Sequence, residues 1–153
     1  MTTAAQARAI IEARVAANLP TNDDSNEVTV YWQNQPVTLP DTPAPFVYAE
    51  FLTDPAELAS FGSGRSGNRY RNPARIDFYV FVPRDEGMTE AESIAEQLAT
   101  LFRSYRDSSI SCFDASVLPG GDGAALKPPG ITSEVSNYFF AVTEVSLFFD
   151  IVG

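Results

Sequence analysis

The clearest pattern along the chain is a strand followed directly by a helix, within residues 75–103. Apolar residues alternate with the others over 75–83, and this period of two indicates a β-strand with one buried face. Thr89 and Glu92 then match a capping box, in which each side chain satisfies a free backbone N–H at the other's position. Apolar residues at helical spacing follow from 91 to 105. This stretch is therefore predicted to form half of a hydrophobic core.

The remaining patterns predict a second helix and several more strands. Thr3 and Gln6 form another capping box, which opens an amphipathic helix running to about Asn18. Alternating or apolar runs predict strands at 28–32, 46–53, 110–118 and 135–152. The last of these exceeds the usual strand length, so a bulge or a long edge is expected.

This order of elements predicts the fold class. Runs of strands interrupted by two amphipathic helices favour an α+β fold with a mostly antiparallel mixed β-sheet. Both helices are expected to pack on one face of the sheet, and a long β-hairpin arm is expected between the second and central strands. At 153 residues the chain fits one domain, 1–153.

A glycine- and arginine-rich segment precedes the central strand. The glycines of 62–67 have the Gly-x-Gly-x-x-Gly spacing of dinucleotide-binding turns, but no helix follows to provide the anion-binding N-terminus. We therefore predict a hairpin tip joining the strand before Phe61 to the strand after Tyr70. Four arginines make this tip cationic: Arg65, Arg69, Arg71 and Arg75. They are candidates for contact with an acidic face of a neighbouring copy, and a solvated loop is the alternative.

Aromatic residues mark the second face of the predicted sheet. It carries Tyr79, Phe81, Phe140, Val142 and Phe148. Contiguous apolar surface of more than a few hundred Å² usually marks a contact site, so we expect self-association through this face. The aromatic interface candidates are Tyr79, Phe81, Phe140 and Phe148, in addition to the four arginines.

Composition narrows the function classes. The chain has no histidine, which removes the commonest general base and zinc ligand, and its single cysteine, Cys112, lies in an apolar run typical of a buried residue. Ten basic against twenty acidic residues give a net charge of −10, which argues against general binding to nucleic acid or anionic membrane. The carboxylates within 85–92 complement a helix dipole. We predict no catalytic, cofactor-binding or metal-binding residue, and hence no enzyme.

Targeting signals are also missing from the sequence. The N-terminus lacks a basic region followed by an apolar one, and no apolar run approaches the ~20 residues of a membrane-spanning helix. We therefore expect a cytosolic protein where it is made, without a membrane partner.

Several segments together resemble the tail terminator, or tail completion, proteins of long-tailed bacteriophages and related gene transfer particles. The similar segments, in chain order, are Ala-Arg-Ala-Ile-Ile-Glu-Ala-Arg, Val-Thr-Val-Tyr-Trp-Gln-Asn, Phe-Val-Tyr-Ala-Glu-Phe, Ile-Asp-Phe-Tyr-Val-Phe-Val-Pro, Ala-Glu-Ser-Ile-Ala-Glu-Gln-Leu and Phe-Ala-Val-Thr-Glu-Val-Ser-Leu-Phe-Phe-Asp. A proline-rich connector, a glycine-rich hairpin and the Pro-x-x-x-Gly turn ending at Gly87 complete the resemblance. It covers nearly the whole chain.

The resemblance implies a ring, usually a hexamer, that caps the tail tube, stops tube growth and joins the tail to the head connector. The implied partners are further copies of the chain, the tail tube protein and a connector or stopper protein, with DNA passing through the lumen without specific binding. The location implied is the neck of a virion assembled in bacterial cytoplasm. The hairpin of 65–75 and the loop of 120–130 are the candidate contacts. The alternatives are another neck or baseplate protein, such as a head completion protein, and a small-ligand-binding or enzymatic α+β domain.

Overall fold

The computed structural model describes residues 2–61, 66–123 and 135–153, with Asp122 described by its backbone only. Within these ranges the chain forms two helices and six strands, and the predicted α+β class is confirmed. In chain order they are α1 (Ala4–Ala16), β1 (Thr29–Trp32), β2 (Phe46–Thr53), β3 (Glu57–Ser60), β4 (Arg69–Pro83), α2 (Thr89–Phe102), β5 (Ile110–Asp122) and β6 (Tyr138–Val152).

The strands form a single mixed sheet in the order β1-β2-β4-β6-β5, and β3 pairs with β4 beyond the end of β2. Strands β1 and β2 are parallel, whereas the other pairs are antiparallel. Strands β4 and β6 pair along their full length, from Arg69 opposite Val152 to Pro83 opposite Tyr138. The predicted hairpin is formed by β3 and β4, and the two long central strands give the sheet its axis.

The long last strand is not at an edge. β6 lies between β4 and β5, and the irregularities fall in β5, between Cys112 and Asp114 and between Leu118 and Gly121. The second irregularity contains Pro119, which lacks a backbone N–H and is tolerated at a bulge of an edge strand. β5 therefore continues to Asp122, past the predicted end at 118. Residues 124–130 of the predicted loop lie outside the described residues.

Both helices pack on one face of the sheet, as predicted. α1 buries Ala7, Ile11 and Val15, and α2 buries a stripe that includes Ile94, Leu98 and Phe102. These side chains share one core with alternate residues of β2, β4 and β6.

Polar contacts fix the helices in place. The buried Thr143 hydroxyl of β6 donates to the Ala95 carbonyl oxygen of α2 at 2.8 Å. The Arg14 guanidinium of α1 donates to the Leu101 carbonyl oxygen at 2.8 and 3.0 Å and lies 3.6 Å from the Tyr105 ring centre. Each bond satisfies a group that a helix end or a buried strand would otherwise leave unpaired.

One of the two predicted capping boxes forms. Thr3 caps α1, with reciprocal bonds between its backbone and side chain and those of Gln6. At α2 the prediction is wrong: the N-cap is Met88, which makes no side-chain cap bond, and Thr89 is already the first helical residue. The helix begins one residue earlier than the Thr-x-x-Glu pattern requires.

A second, smaller core lies on the opposite face of the sheet. It contains Phe46, Tyr48, Phe81, Val135, Tyr138 and Phe140. Val37 and Leu39 of the proline-rich connector pack against it, and the Phe46 and Phe81 rings stack with centres 4.7 Å apart.

Phe81 and Phe140 are 0% and 1% exposed, so the expectation that they lie on an uncovered face is wrong. The connector after β1 and the residues leading into β6 already cover them.

Two further sequence-based expectations concern burial and membranes. Cys112 is buried, as its apolar surroundings predict. Of the helices that the structure describes, none is long and apolar enough to cross a membrane.

Candidate partner interface

The second face of the sheet has a closed aromatic half and an open charged half. Odd-numbered residues of β4 point to this face, so Phe81 lies in the closed half whereas Arg75, Arg71 and Arg69 lie progressively further into the open half. We call these three arginines the arginine row. Their side chains are 47%, 43% and 52% exposed.

The arginine row is built differently from the predicted cationic tip. Arg69, Arg71 and Arg75 lie within β4, with side chains held by the pleat of a paired strand. Arg65 lies outside the described residues. Each arginine of the row also has an acidic neighbour on the same face, so the row is only partly available to a partner.

Asp150 of β6 binds two of these arginines. Its Oδ1 accepts from Arg71 Nε at 3.2 Å, and its Oδ2 accepts from Arg69 Nη2. Burial acts to raise the pKa of Asp150, but the hydrogen bonds and charges of Arg71 and Arg69 outweigh it and hold this pKa below its usual range. The three side chains form a fixed, charge-assisted cluster at the end of the central strand pair.

A row of carboxylates crosses the sheet beside Arg75. Glu50, Asp77 and Glu144 lie directly opposite one another on β2, β4 and β6. Glu50 and Asp77 are only 7% and 5% exposed. Burial and neighbouring negative charge raise the pKa of both carboxyls, although Arg75 acts in the opposite direction.

Arg75 compensates this row incompletely. Its Nε lies 3.1 Å from Asp77 Oδ1 and 3.9 Å from Glu144 Oε2, yet Asp77 Oδ1 has no partner with hydrogen-bond alignment among the described residues. Burial and the charges of Glu50 and Asp77 also raise the pKa of Tyr79 to about 12. The described residues contain no cluster that could hold a metal ion.

Two aromatic rings stand at the border of the open half. The Arg71 guanidinium lies 3.9 Å from the ring centre of Phe148, and the Phe113 ring centre is 6.2 Å from that of Phe148. Phe113 is 66% exposed. It follows Cys112, which lies in the helix-side core, so alternation places Phe113 on the second face of the edge strand β5. Arginine and aromatic side chains are the residue types enriched at protein interfaces.

Beside these rings lies a polar cleft of about 240 Å³. We call it the arginine cleft; it is lined by Thr2, Arg69, Arg71, Arg106, Asp107, Ser108, Ser109, Ser111, Phe148, Asp150 and Val152. Asp107 accepts from the backbone N–H groups of Ser109 and Ile110 at 2.6 and 2.8 Å and from the Tyr105 hydroxyl at 2.9 Å. Although burial alone would raise the pKa of Asp107, these bonds lower it.

An acidic region lies at the opposite end of the β4–β6 pair. Asp85 and Glu86 are exposed in the turn after β4, and Glu90 follows in the first turn of α2. The Asp23 backbone N–H donates to Glu90 Oε1 at 3.2 Å, which brings the 23–24 carboxylates to the same place. We call 23–24 and 85–90 together the acidic end.

An apolar groove of about 550 Å³ runs between α2 and β5. Its lining includes Met88, Val117, Leu118 and Phe139, with Glu92 and Glu96 as its charged groups. If the protein were a small-ligand-binding domain, this groove would be the candidate binding site. It offers apolar surface and two helix carboxylates, rather than the few convergent polar groups that fix a ligand's orientation.

Sequence reasoning found part of this surface. The open half contains Arg69, Arg71, Arg75 and Phe148 of the candidates. Phe81 and Phe140 belong to the closed half, and Tyr79 packs against them, partly buried. Phe113 and Arg106 were missed. The alternation of Ile110 and Cys112 with Ser111 and Phe113 is a signal that places Phe113 on the second face. Arg106 has no such signal, because a loop after α2 brings it to the sheet end.

Comparison with known proteins gives a likeness of fold alone. No family model and no curated protein matches the chain. A solved structure whose name states no function is similar over 95% of this chain and 91% of its own, with a TM-score of 0.50 and 16% sequence identity. At 16% sequence identity this similarity shows a shared fold alone.

Proposed function

We propose that this protein is a structural component of a phage-like tail, forming a ring that caps the tail tube, terminates its elongation and joins it to the head connector. The proposal rests first on the sequence resemblance to tail terminator proteins, which extends from α1 to β6. The α+β fold with its β3–β4 hairpin is compatible with that resemblance.

The observation that carries a role in assembly is the exposed Phe113 beside Phe148 and Arg71. Phe113 is 66% exposed, and its ring lies tilted against that of Phe148, over which the Arg71 guanidinium lies. Such a group of aromatic and arginine side chains is well suited to burial by another protein. The arginines and carboxylates of the adjacent arginine cleft make the surface specific through charge as well as shape.

The proposed partners are further copies of the chain, the tail tube protein and a connector or stopper protein. A head-to-tail contact between identical copies closes into a ring when its rotation permits, and in this proposal the ring is a hexamer in the neck of a virion. With a chain charge of −10, DNA crosses the lumen without specific binding. The role proposed is structural and requires no catalytic residue.

Another neck or baseplate role is the main alternative, because the same exposed surface serves any ring or collar. A small-ligand-binding role would use the groove between α2 and β5. That groove is broad and open and lacks convergent polar groups, so it favours a protein segment over a small molecule.

The test is the mass of the purified protein by light scattering, followed by negative-stain images of the same fraction, with and without tail tube protein. We expect closed rings of about six copies, or rings that form on tube ends and arrest their growth. A protein that stays monomeric and leaves tube growth unchanged contradicts the proposal. Binding to a head portal in place of the tube indicates the neck alternative.

A further inference from the structure

We infer that the arginine cleft binds a carboxylate from the acidic end of a second copy of the chain. This deepens the proposed function and rests on the self-association in that proposal. The contact joins one end of the β4–β6 pair in one copy to the opposite end in the next.

The first step is the charge inside the cleft. Three guanidinium groups face two carboxylates there. Asp107 already accepts from the backbone N–H groups of Ser109 and Ile110 and from the Tyr105 hydroxyl. Asp150 is already held by Arg69 and Arg71. The side chain of Arg106 makes no hydrogen bond or ion pair within the part of the chain that the structure describes. One positive charge in the cleft is therefore uncompensated.

The second step is the shape of the cleft. A space of about 240 Å³ admits a carboxylate side chain with a few waters, since a water takes up about 30 Å³ in the liquid. Arg71 binds Asp150 through Nε, which leaves its Nη groups for another acceptor. Ser108, Ser109 and Ser111 add hydroxyl donors. Guanidinium groups recognise planar carboxylates through paired hydrogen bonds.

The third step identifies the source of the carboxylate. β4 begins at the cleft with Arg69 and ends at Pro83, and Asp85 and Glu86 follow after Arg84. Its 15 residues span roughly 45 Å at ~3.3 Å per residue, so the acidic end lies too far away to reach the cleft of its own copy. Each molecule carries a basic cleft at one end and exposed carboxylates at the other, which is the charge arrangement of a head-to-tail contact.

Paired charge reversals test this contact. Arg106→Glu gives a copy with an acidic cleft. Asp23→Lys, Asp24→Lys and Glu86→Lys together leave two carboxylates against three lysines and so give a copy with a basic end. Each variant alone places like charges against each other, so the dissociation constant for self-association should rise by about tenfold or more. In an equimolar mixture each altered surface meets an opposite charge, so association should return.

Matched controls separate a specific contact from a change in net charge. Arg103→Glu removes an exposed arginine on the helix side, and Asp41→Lys reverses an exposed carboxylate of the connector. Both should associate like the wild type. Thermal unfolding of every variant checks that loss of association is not loss of the fold.

Several outcomes overturn the assignment: wild-type protein that stays monomeric, variants that associate normally, or a mixture that does not recover. Inorganic phosphate is a further arm. If phosphate raises the thermal stability of the wild type but not of Arg106→Glu, and the two proteins self-associate equally, the cleft is a site for a free oxyanion instead.

The proposed function and the inferred contact can fail separately. Rings that ignore the charge reversals leave the function standing and remove the contact. Assemblies that respond to the reversals but are not rings, and do not cap tubes, leave the contact standing and remove the function.

Discussion

At the scale of single residues, Asp150 anchors the arginine row, and its loss should be measurable. Asp150→Asn weakens two charge-assisted hydrogen bonds, to Arg69 and Arg71. It should lower the free energy of unfolding at neutral pH by about 1 kcal/mol, a small value because the two arginines are about half exposed and solvent screens their charge. Urea unfolding of both proteins measures the difference.

The pH dependence of that difference has a definite sign. The folded pKa of Asp150 is lowered, so its contribution is present above the unfolded-state pKa and is lost as the pH falls through the folded one. The two proteins should therefore converge in acid. If the difference in unfolding free energy between the two proteins stays constant as the pH falls through the folded-state pKa of Asp150, the effect of the substitution comes from packing instead.

Glu50 should show the opposite behaviour. Burial and the charge of Asp77 raise its pKa, so the folded state binds more protons than the unfolded state and stability falls as the pH rises through the raised pKa. Glu50→Gln should therefore stabilise the protein at neutral pH by on the order of 1 kcal/mol and lose this advantage in acid. Urea unfolding checks this, with Asp41→Asn as an exposed control. If Glu50→Gln is less stable than the wild type, the conclusion that Arg75 only partly compensates the buried carboxylates is wrong.

At the scale of elements, the two helix starts differ in a way that single substitutions resolve. Thr3→Ala removes the side-chain acceptor for the Gln6 backbone N–H and should cost about 1 kcal/mol of stability. Thr89→Ala is the matched control, because Thr89 makes no cap bond and should change stability by less than about 0.5 kcal/mol. Chemical denaturation measures both, and equal losses would place a capping box at α2 as well.

The closed aromatic half is predicted to be core rather than interface. Phe140→Ala empties a site that is 1% exposed and should cost about 3–5 kcal/mol. Phe148→Ala, on the open half of the same strand, should cost much less because its ring is partly in water already. Thermal unfolding of the two variants compares them directly. A similar small loss for both would mean that the connector does not seal the closed half.

Local patterns predicted the elements well where one face of each is buried. The strand predicted at 46–53 coincides with β2, and the helical stripe after 91 is the buried face of α2. For the first part of β4 only the hairpin prediction placed a strand after Tyr70, because polar residues and Pro73 interrupt the alternation before 75. Pairing with β3 and β6 supplies the order there. Whether such segments form strands depends on their pairing with other strands rather than on local propensity.

The candidate interface was harder to predict because it depends on what covers the sheet. Alternation placed Phe81 and Phe140 on the second face, but no local pattern says that Val37 and Leu39 fold back over them. Likewise, the glycine-rich segment suggested that the arginines lie on a hairpin tip, whereas the strand register fixes Arg69 and Arg71 beside Asp150. Contacts between residues far apart in sequence determined both outcomes.

At the scale of the whole molecule, charge and apolar exposure are arranged along one axis. The β4–β6 pair carries the arginine cleft with its aromatic border at one end and the acidic end at the other. A protein with two unlike, complementary ends associates without a mirrored contact, so it can build closed rings or stacked arrays from one type of interface. The geometry of that interface decides which of the two forms.

The aromatic border of the cleft should contribute to association independently of charge. Phe113→Ser removes a 66% exposed ring, so it should leave thermal stability within about 1 °C of the wild type while weakening self-association by about tenfold, as loss of an interface anchor does. Sedimentation at low and high ionic strength separates the two contributions. The loss caused by Phe113→Ser should persist in high salt, because apolar burial is not screened, whereas the loss caused by Arg106→Glu should shrink as the Debye length falls to about 3 Å at 1 M salt. If the losses of self-association in the two variants depend equally on salt, Phe113 acts only by positioning Arg71 through Phe148. If Phe113→Ser associates like the wild type, the interface lies elsewhere.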